Sequence, residues 1–207
     1  MKKILLIAGL LISSLSYAQI EHKGLIGFSI GKSIPTGDFA SKDHSNEEGK
    51  YADLGINYTI DGAYFINETF GISATLFSND WELDHYTNHK EWYYSSTGYL
   101  IGGIATIPKG NFNFDFKLQF GYATSKRGSL GVSGLHSFGD SIVPELEGKA
   151  FAYSAGLGIR LHVTKRIDTM FNSSFFNTNA TLEKNGEHHI DYDIKALNIT
   201  LGLGFQL

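Results

Sequence analysis

The carboxyl-terminal stretch of the chain constrains its fold more than any other feature. From Leu197 to Leu207 every odd position holds a large apolar residue, and every even position holds a polar residue or glycine. This period of two lasts for eleven residues, which is about the length that a tilted transmembrane β-strand requires. The pattern therefore predicts a strand with one face toward lipid and the other toward a polar interior.

The opposite end of the chain reads as a secretory signal peptide. Lys2 and Lys3 precede an apolar run over residues 4–12, and Ser16-Tyr17-Ala18 forms a small-x-small cleavage site. The run is too short for a spanning helix, which needs about 20 apolar residues. We expect cleavage after residue 18 and one mature domain over residues 19–207. With no cysteine in the chain, neither a lipid anchor at the cleavage site nor a disulfide is available.

Composition further limits the possible fold classes and the possible classes of partner. The net charge of −4 becomes −6 when Lys2 and Lys3 are removed, which argues against nucleic acid as a partner. Glycine is abundant (24), proline is scarce (3) and aromatic residues make up 14% of the chain. After the signal peptide no run approaches 18 apolar residues, so the composition favours an all-β fold.

The alternation predicts eight strands. The clearest is the fifth, in which six aromatic or leucine side chains from Phe112 to Tyr122 alternate with polar or small residues. The phases of the fourth and seventh strands are ambiguous, because apolar residues fall on both faces. The strands are predicted at about residues 24–33, 51–65, 69–78, 92–107, 111–124, 150–162, 167–176 and from 191 onward.

The predicted connections alternate in length. Short turns lie near residues 67–68, 108–110 and 163–166, and long polar loops at about 34–50, 79–91, 125–149 and 177–190. This is the pattern of an eight-stranded antiparallel transmembrane barrel with short periplasmic turns and long extracellular loops. Because hydrocarbon offers no hydrogen-bond partners, the last strand must pair with the first. The alternative is a soluble lipocalin-like barrel, whose apolar face would line a ligand cavity.

Two motifs resemble a known family. Residues 27–31 (GFSIG) with 35–39 (PTGDF), and the hairpin 62–72 (GAYFINETFGI), are similar to segments of the small eight-stranded outer-membrane β-barrel proteins of the OmpX, OmpW and OmpA-barrel kind, in the form common in Bacteroidetes. The resemblance covers the whole mature chain and implies the outer-membrane fold and location, but no particular activity.

The end of the chain also resembles the signal that the barrel-assembly machinery recognises in such proteins. That signal is a polar residue, a glycine and two spaced hydrophobic residues, and this chain departs from it only in ending on leucine rather than on an aromatic residue. The resemblance implies the assembly machinery as a partner during biogenesis and assigns the signal to Thr200, Gly202, Phe205 and Leu207.

The predicted inward faces carry charges that could close the barrel. Asp61, Asp115, Arg160, His162 and Asp168 are all expected near the periplasmic turns, with Lys117 one inward step above Asp115. An eight-stranded barrel has just enough interior for side chains to fill it, and an unpaired buried charge costs several kcal/mol. We therefore predict a lumenal charge network that comprises Asp61, Asp115, Lys117 and Arg160. The alternative is that these residues are solvated independently in a watery lumen.

Aromatic residues near the strand ends are predicted to form the interfacial girdles of the barrel. Tyr64, Phe65, Phe70 and Phe112 are placed on the turn side. Trp81, Trp92 and Tyr86 cluster about the second long loop, where a girdle with loop packing is favoured over a carbohydrate-binding site.

The sequence contains no pattern that requires metal or catalysis. Most of its eight histidines fall in or beside the long loops with nothing that fixes their convergence, so we expect neither a metal nor a cofactor. The adjacent pairs His44-Ser45 and His136-Ser137 point apart on an extended chain, and there is no GxSxG elbow. A lipid A-modifying enzyme is thus disfavoured.

A non-enzymatic outer-membrane protein is therefore expected, with a structural or surface-interaction role and loop 125–149 as the main contact surface. Its partners would be outer-membrane lipid and an extracellular ligand at the long loops. The alternative is a narrow porin-like channel for ions or small hydrophobic solutes, and a role as an accessory to secretion or envelope assembly remains open.

Overall fold

A computed structural model describes residues 23–42, 51–83, 92–128, 130–132, 141–143, 145–184 and 187–207. The predicted signal peptide lies outside these residues. Four of the loop histidines considered above for metal binding or catalysis also lie outside them: His44, His85, His89 and His136. A short 3-10 turn, Gly37–Ala40, follows the first strand. The ten strands are β1 Gly24–Thr36, β2 Ala52–Phe65, β3 Phe70–Leu83, β4 Trp92–Lys109, β5 Phe112–Arg127, β6 Leu130–Val132, β7 Ser141–Val143, β8 Leu146–His162, β9 Ile167–Lys184 and β10 Glu187–Gln206.

Eight of the strands form one closed antiparallel barrel, in the order β1-β10-β9-β8-β5-β4-β3-β2. β10 pairs with β1 from Leu25↔Gln206 to Thr36↔Lys195, so the last strand closes on the first. β6 and β7 form a separate small hairpin within the third long connection. Closure satisfies the backbone groups of every barrel strand, as a spanning sheet requires. The predicted eight-stranded barrel is confirmed.

The two ends of the barrel differ. One end, called here the short-turn end, has connections at residues 66–69, 110–111 and 163–166. The first two are fixed locally: the Asn67 side-chain oxygen accepts the backbone N–H groups of Thr69 and Phe70 (2.9 and 2.7 Å), and Gly110 has a positive φ of 62°. The other end, the long-loop end, carries the long connections after β1, β3 and β5.

A continuous apolar belt surrounds the barrel. On β5 the six outward side chains from Phe112 to Tyr122 are 36–52% exposed. Ten residue steps of about 3.4 Å, tilted by about 40°, give a belt about 26 Å tall, close to the ~25 Å of outer-membrane barrels. The apolar faces therefore point outward, and the lipocalin-like alternative is wrong. Among the described residues, no helix is long and apolar enough to span a membrane.

Beyond the belt, at the long-loop end, the strands continue and their polarity inverts. β9 and β10 have 18 and 20 residues, whereas a spanning strand needs about 9–11. In this extension the outward positions are polar, as at Thr181 and Asp191, and the inward positions Leu182, Tyr192 and Ile194 are buried and apolar. The extension is thus built like a soluble barrel, with its own hydrophobic interior.

This inversion corrects the bounds of two predicted loops. The loop predicted at 177–190 is wrong, because β9 continues to Lys184 and β10 begins at Glu187. The predicted loop 125–149 is also too long, because β5 runs to Arg127 and β8 starts at Leu146. In each case the apolar side chains change from the outer face to the inner face at the belt's edge, so a simple alternation pattern ends there while the strand does not.

Candidate functional site

The interior of the barrel is the candidate site, and a buried ion pair lies nearest to its short turns. Nε of Arg160 donates to Oδ2 of Asp115 (2.5 Å), and Nη2 donates to Oδ1 (2.9 Å). Thr106 donates its hydroxyl proton to the same Oδ1 (2.6 Å). The two charged side chains are only 4% and 2% exposed. Such a bidentate, hydrogen-bonded pair is the geometry in which burial of charge is tolerated.

A second carboxylate, Asp168, extends this pair into a cluster. It is fully buried, its Oδ2 lies 3.6 Å from Nη1 of Arg160, and its Oδ1 lies 2.7 Å from Nδ1 of His162. Gln206 donates from Nε2 to both oxygens of Asp168 (2.9 and 2.8 Å). The ring of Phe65 covers the guanidinium at 5.2 Å. We call these residues, with Asp115 and Thr106, the turn-end charge cluster.

The second ion pair lies deeper in the lumen. Nζ of Lys117 is 2.9 Å from Oδ1 of Asp61, and the exposures of the two side chains are 18% and 10%. Asp61 also accepts hydrogen bonds from the hydroxyls of Thr75 (2.7 Å) and Thr59 (3.1 Å). Gln119 continues the polar layer through Thr75. A cavity of about 50 Å³ beside this pair is lined by polar side chains, among them Asn57, Thr75 and Gln119, together with apolar ones such as Leu100 and Phe176, and it has room for ordered water.

The structure thus brings the four predicted network residues together as two ion pairs at different depths. Arg160 pairs with Asp115, and Lys117 pairs with Asp61. Asp61 lies on β2, four residues before that strand ends at Phe65. Along β2, Ala63 and Phe65 lie between Asp61 and the turn, and Phe65 belongs to a small buried apolar cluster.

Toward the long-loop end the lumen is filled by an apolar plug. Phe39, carried by the 3-10 turn after β1, is fully buried and meets the rings of Trp81 and Tyr94 edge-on, with centroids 5.1 and 5.3 Å apart. Below it, Phe77 and Phe176 are in contact at 4.9 Å. The plug comprises Phe39, Ala52, Phe77, Trp81, Tyr94, Leu100, Ala123, Leu146, Ala152, Phe176, Ala180, Leu182, Tyr192, Ile194 and Ala196.

Sequence reasoning missed this plug. Trp81 was assigned to a girdle with loop packing, but it is fully buried and points inward. Phe65 was also assigned to a girdle and instead lies under Arg160, whereas Tyr64, Phe70 and Phe112 are exposed as predicted. One signal was available: Trp81 follows Ser73, Thr75, Phe77 and Asn79 at a spacing of two, and these positions form the inward face of β3.

A vestibule opens at the short-turn end, between the turn-end charge cluster and the mouth of the barrel. It has a volume of about 440 Å³ and is lined by Phe65, Asn67, Thr106, Asn113, Arg160, His162 and Gln206, among others. Within the described parts of the chain, no group of histidine and acidic side chains could hold a metal ion.

The four residues of the predicted assembly signal lie along β10 and just after it. Thr200 is buried and lines the small cavity, and Gly202 faces the backbone of Phe28 in β1 so closely that a side chain would collide with it. Phe205 and Leu207 are exposed on the outer face. These positions explain a structural need for glycine, and recognition by the assembly machinery stays a prediction.

Comparison with known proteins places the fold. No protein-family model matches the sequence, and no curated protein matches it. Among solved structures, the chain is similar to Neisserial surface protein A (TM-score 0.55, 9% identity, covering 89% of this chain and 97% of that one). It is also similar to the outer membrane protein OprG from Pseudomonas aeruginosa (TM-score 0.54, 10% identity, 92% and 99%).

The closed eight-stranded topology, the apolar belt and these two likenesses agree. The chain has the fold of the small eight-stranded outer-membrane β-barrels.

Proposed function

We propose that the chain is a non-enzymatic, integral protein of the outer membrane with a closed lumen and a structural or surface-interaction role. It would be exported after cleavage of residues 1–18 and inserted by the barrel-assembly machinery. The observation that carries the proposal is the closure of the lumen at two separate depths, by the turn-end charge cluster and by the apolar plug.

The two closures block passage in different ways. At the turn end, an ion moving inward would have to displace Arg160 from Asp115 and so expose buried, unpaired charges. At the long-loop end, it would have to cross a layer of packed aromatic rings around Phe39. The polar chamber between them, about 50 Å³ in volume, is too small for a solute path. A channel role would therefore require both closures to open.

The surface role is supported by the extension beyond the apolar belt. Its outer wall is polar and its inner wall belongs to the plug, so the long connections start from a rigid rim rather than from the membrane surface. Binding residues are commonly carried by loops held on a rigid scaffold. We place the contact surface at the third connection, which includes the β6–β7 hairpin, and at the rim beside it.

Single-channel conductance tests the closed lumen. The purified barrel, shown to be folded by its heat-dependent shift on a cold SDS gel, is inserted into a planar lipid bilayer. We expect no steady ohmic steps. Regular openings from the native protein would contradict the closed lumen and favour the narrow channel for ions or small hydrophobic solutes.

A second experiment tests the surface role. Cells that express the native protein are compared with cells in which residues 128–145 are replaced by a short Gly-Ser connection between β5 and β8. We expect cells with the replacement to lose the adhesion to an external surface that the native protein confers, while the barrel still folds.

A change in lipid A acylation on expression of the native chain would instead favour an enzyme.

A further inference from the structure

The exposed cations of the barrel differ between its two ends. At the short-turn end, Lys23, Lys109, Lys165 and Arg166 are all exposed. Over the residues that the structure describes there, none of the four takes part in an ion pair, and Glu68 is the one exposed acidic side chain. We call these four residues the basic collar. Asp115 and Asp168 lie inside the barrel and already face Arg160.

Toward the long-loop end, by contrast, three lysines of the described residues form ion pairs. Lys126 pairs with Glu147 (2.8 Å), Lys195 with Asp193 (2.5 Å) and Lys42 with Asp53 (3.8 Å). Lys149 lies over the ring of Tyr122, 5.7 Å from its centroid. The three ion-paired lysines are neutralised within the protein, whereas the basic collar is free to meet an external anion.

The collar lies at the edge of the apolar belt. Val163 and Ile167, 60% and 42% exposed, flank Lys165 and Arg166, and Ile107 precedes Lys109 on the same outer face. The turn that carries Lys165 and Arg166 is held rigid, because the Thr164 hydroxyl accepts the N–H groups of Arg166 and Ile167 (3.2 and 3.0 Å). Apolar side chains beside long cations are the arrangement that anchors a protein at a membrane interface.

We propose that the basic collar binds the headgroups of anionic phospholipids in the leaflet at the short-turn end. Unpaired cations around an apolar belt match a layer of phosphates at the depth where the belt ends. The inference rests on the proposed membrane position of the barrel. It adds a lipid preference that neither the fold nor the closed lumen requires.

The test compares two variants with equal changes in charge. The collar variant carries Lys23→Gln, Lys109→Gln, Lys165→Gln and Arg166→Gln. The control variant carries Lys42→Gln, Lys126→Gln, Lys149→Gln and Lys195→Gln at the other end. Each protein is folded into phosphatidylcholine bilayers, and spin-labelled phosphatidylglycerol and phosphatidylcholine report the relative association of each lipid with the protein boundary.

Since each surface Lys or Arg contributes about fivefold to association with an anionic membrane surface, we expect a preference of at least about fivefold for phosphatidylglycerol in the native protein. The control variant should keep this preference, and the collar variant should lose it. Raised salt should weaken the preference, because the collar is exposed.

Three results would overturn the proposal: no preference in the native protein, an equal loss in both variants, or a preference retained by the collar variant. The heat-dependent gel shift separates this failure from failure of the proposed function. A native protein that forms a barrel without lipid preference refutes only the collar, whereas one that forms no barrel in bilayers refutes both.

Discussion

Replacement of Arg160 by methionine tests whether the charges inside the barrel form a dry network. The substitution keeps an apolar stem but removes the cation, so Asp115 and Asp168 remain buried without their shared partner. Breaking a buried pair in this way costs about 3–5 kcal/mol. We expect the free energy of unfolding to fall by that amount, as measured by urea titration of the folded band on a cold SDS gel.

Two other ion pairs that differ in burial provide an internal scale. Lys117 and Asp61 are 18% and 10% exposed, so Lys117→Met should cost less, about 1–2 kcal/mol. Lys126 and Glu147 are 45% and 54% exposed, and Lys126→Met should cause no measurable change, because solvent screens that pair. The order of the three effects should therefore follow burial.

A double variant tests whether the unpaired buried carboxylates are what lowers the free energy of unfolding. Asp115→Asn added to Arg160→Met removes one of the two orphaned carboxylates, so the double variant should be more stable than Arg160→Met alone. A cost below about 1 kcal/mol for Arg160→Met would refute the reasoning. It would show that these residues are solvated independently, which is the alternative that the sequence left open.

Three further predictions concern the plug, the closure of the barrel and the belt. Phe39→Ala removes two aromatic edge contacts and should lower the free energy of unfolding in urea by about 3 kcal/mol. Gly202→Val should abolish the heat-dependent band on in vitro folding, because its side chain collides with the first strand, whereas Gly103→Ala meets open space and should fold normally. Leu201→Arg, in the middle of the belt, should cost about 2–4 kcal/mol in lipid-bilayer urea titrations, whereas Asn179→Arg, on the outer face beyond the belt, should cost nothing measurable.

Much of the fold could be predicted because the membrane imposes a simple rule on the belt. Where the outer face meets lipid, β5 alternates from Phe112 to Tyr122 without exception, and the strand and its phase follow directly. The strand pairing was also predictable, since closure leaves β10 no other partner than β1.

The interior was harder to predict, because the side chains that fill a narrow lumen come from different strands and must pack against each other. Leu100, Met170 and Phe176 point inward on β4 and β9, and these apolar inward residues are what made the phases of those strands ambiguous. Asp168 was expected among the charges near the turns, but its approach to Arg160 depends on the stagger of β8 against β9, which no local pattern shows.

The inversion of polarity bears directly on function. On β9 the apolar side chain changes from the outward Phe175 to the inward Phe176, and on β10 from the outward Leu197 to the inward Ala196. Above that level the walls are held by an interior of their own, so their stability does not depend on lipid. A rim built in this way keeps its shape outside the membrane and can present the long connections in fixed relative positions. Because the same side chains that hold the rim also close the lumen, a change that opened a pore would also loosen the proposed contact surface. The proposed closed lumen and the proposed surface role therefore depend on the same buried side chains.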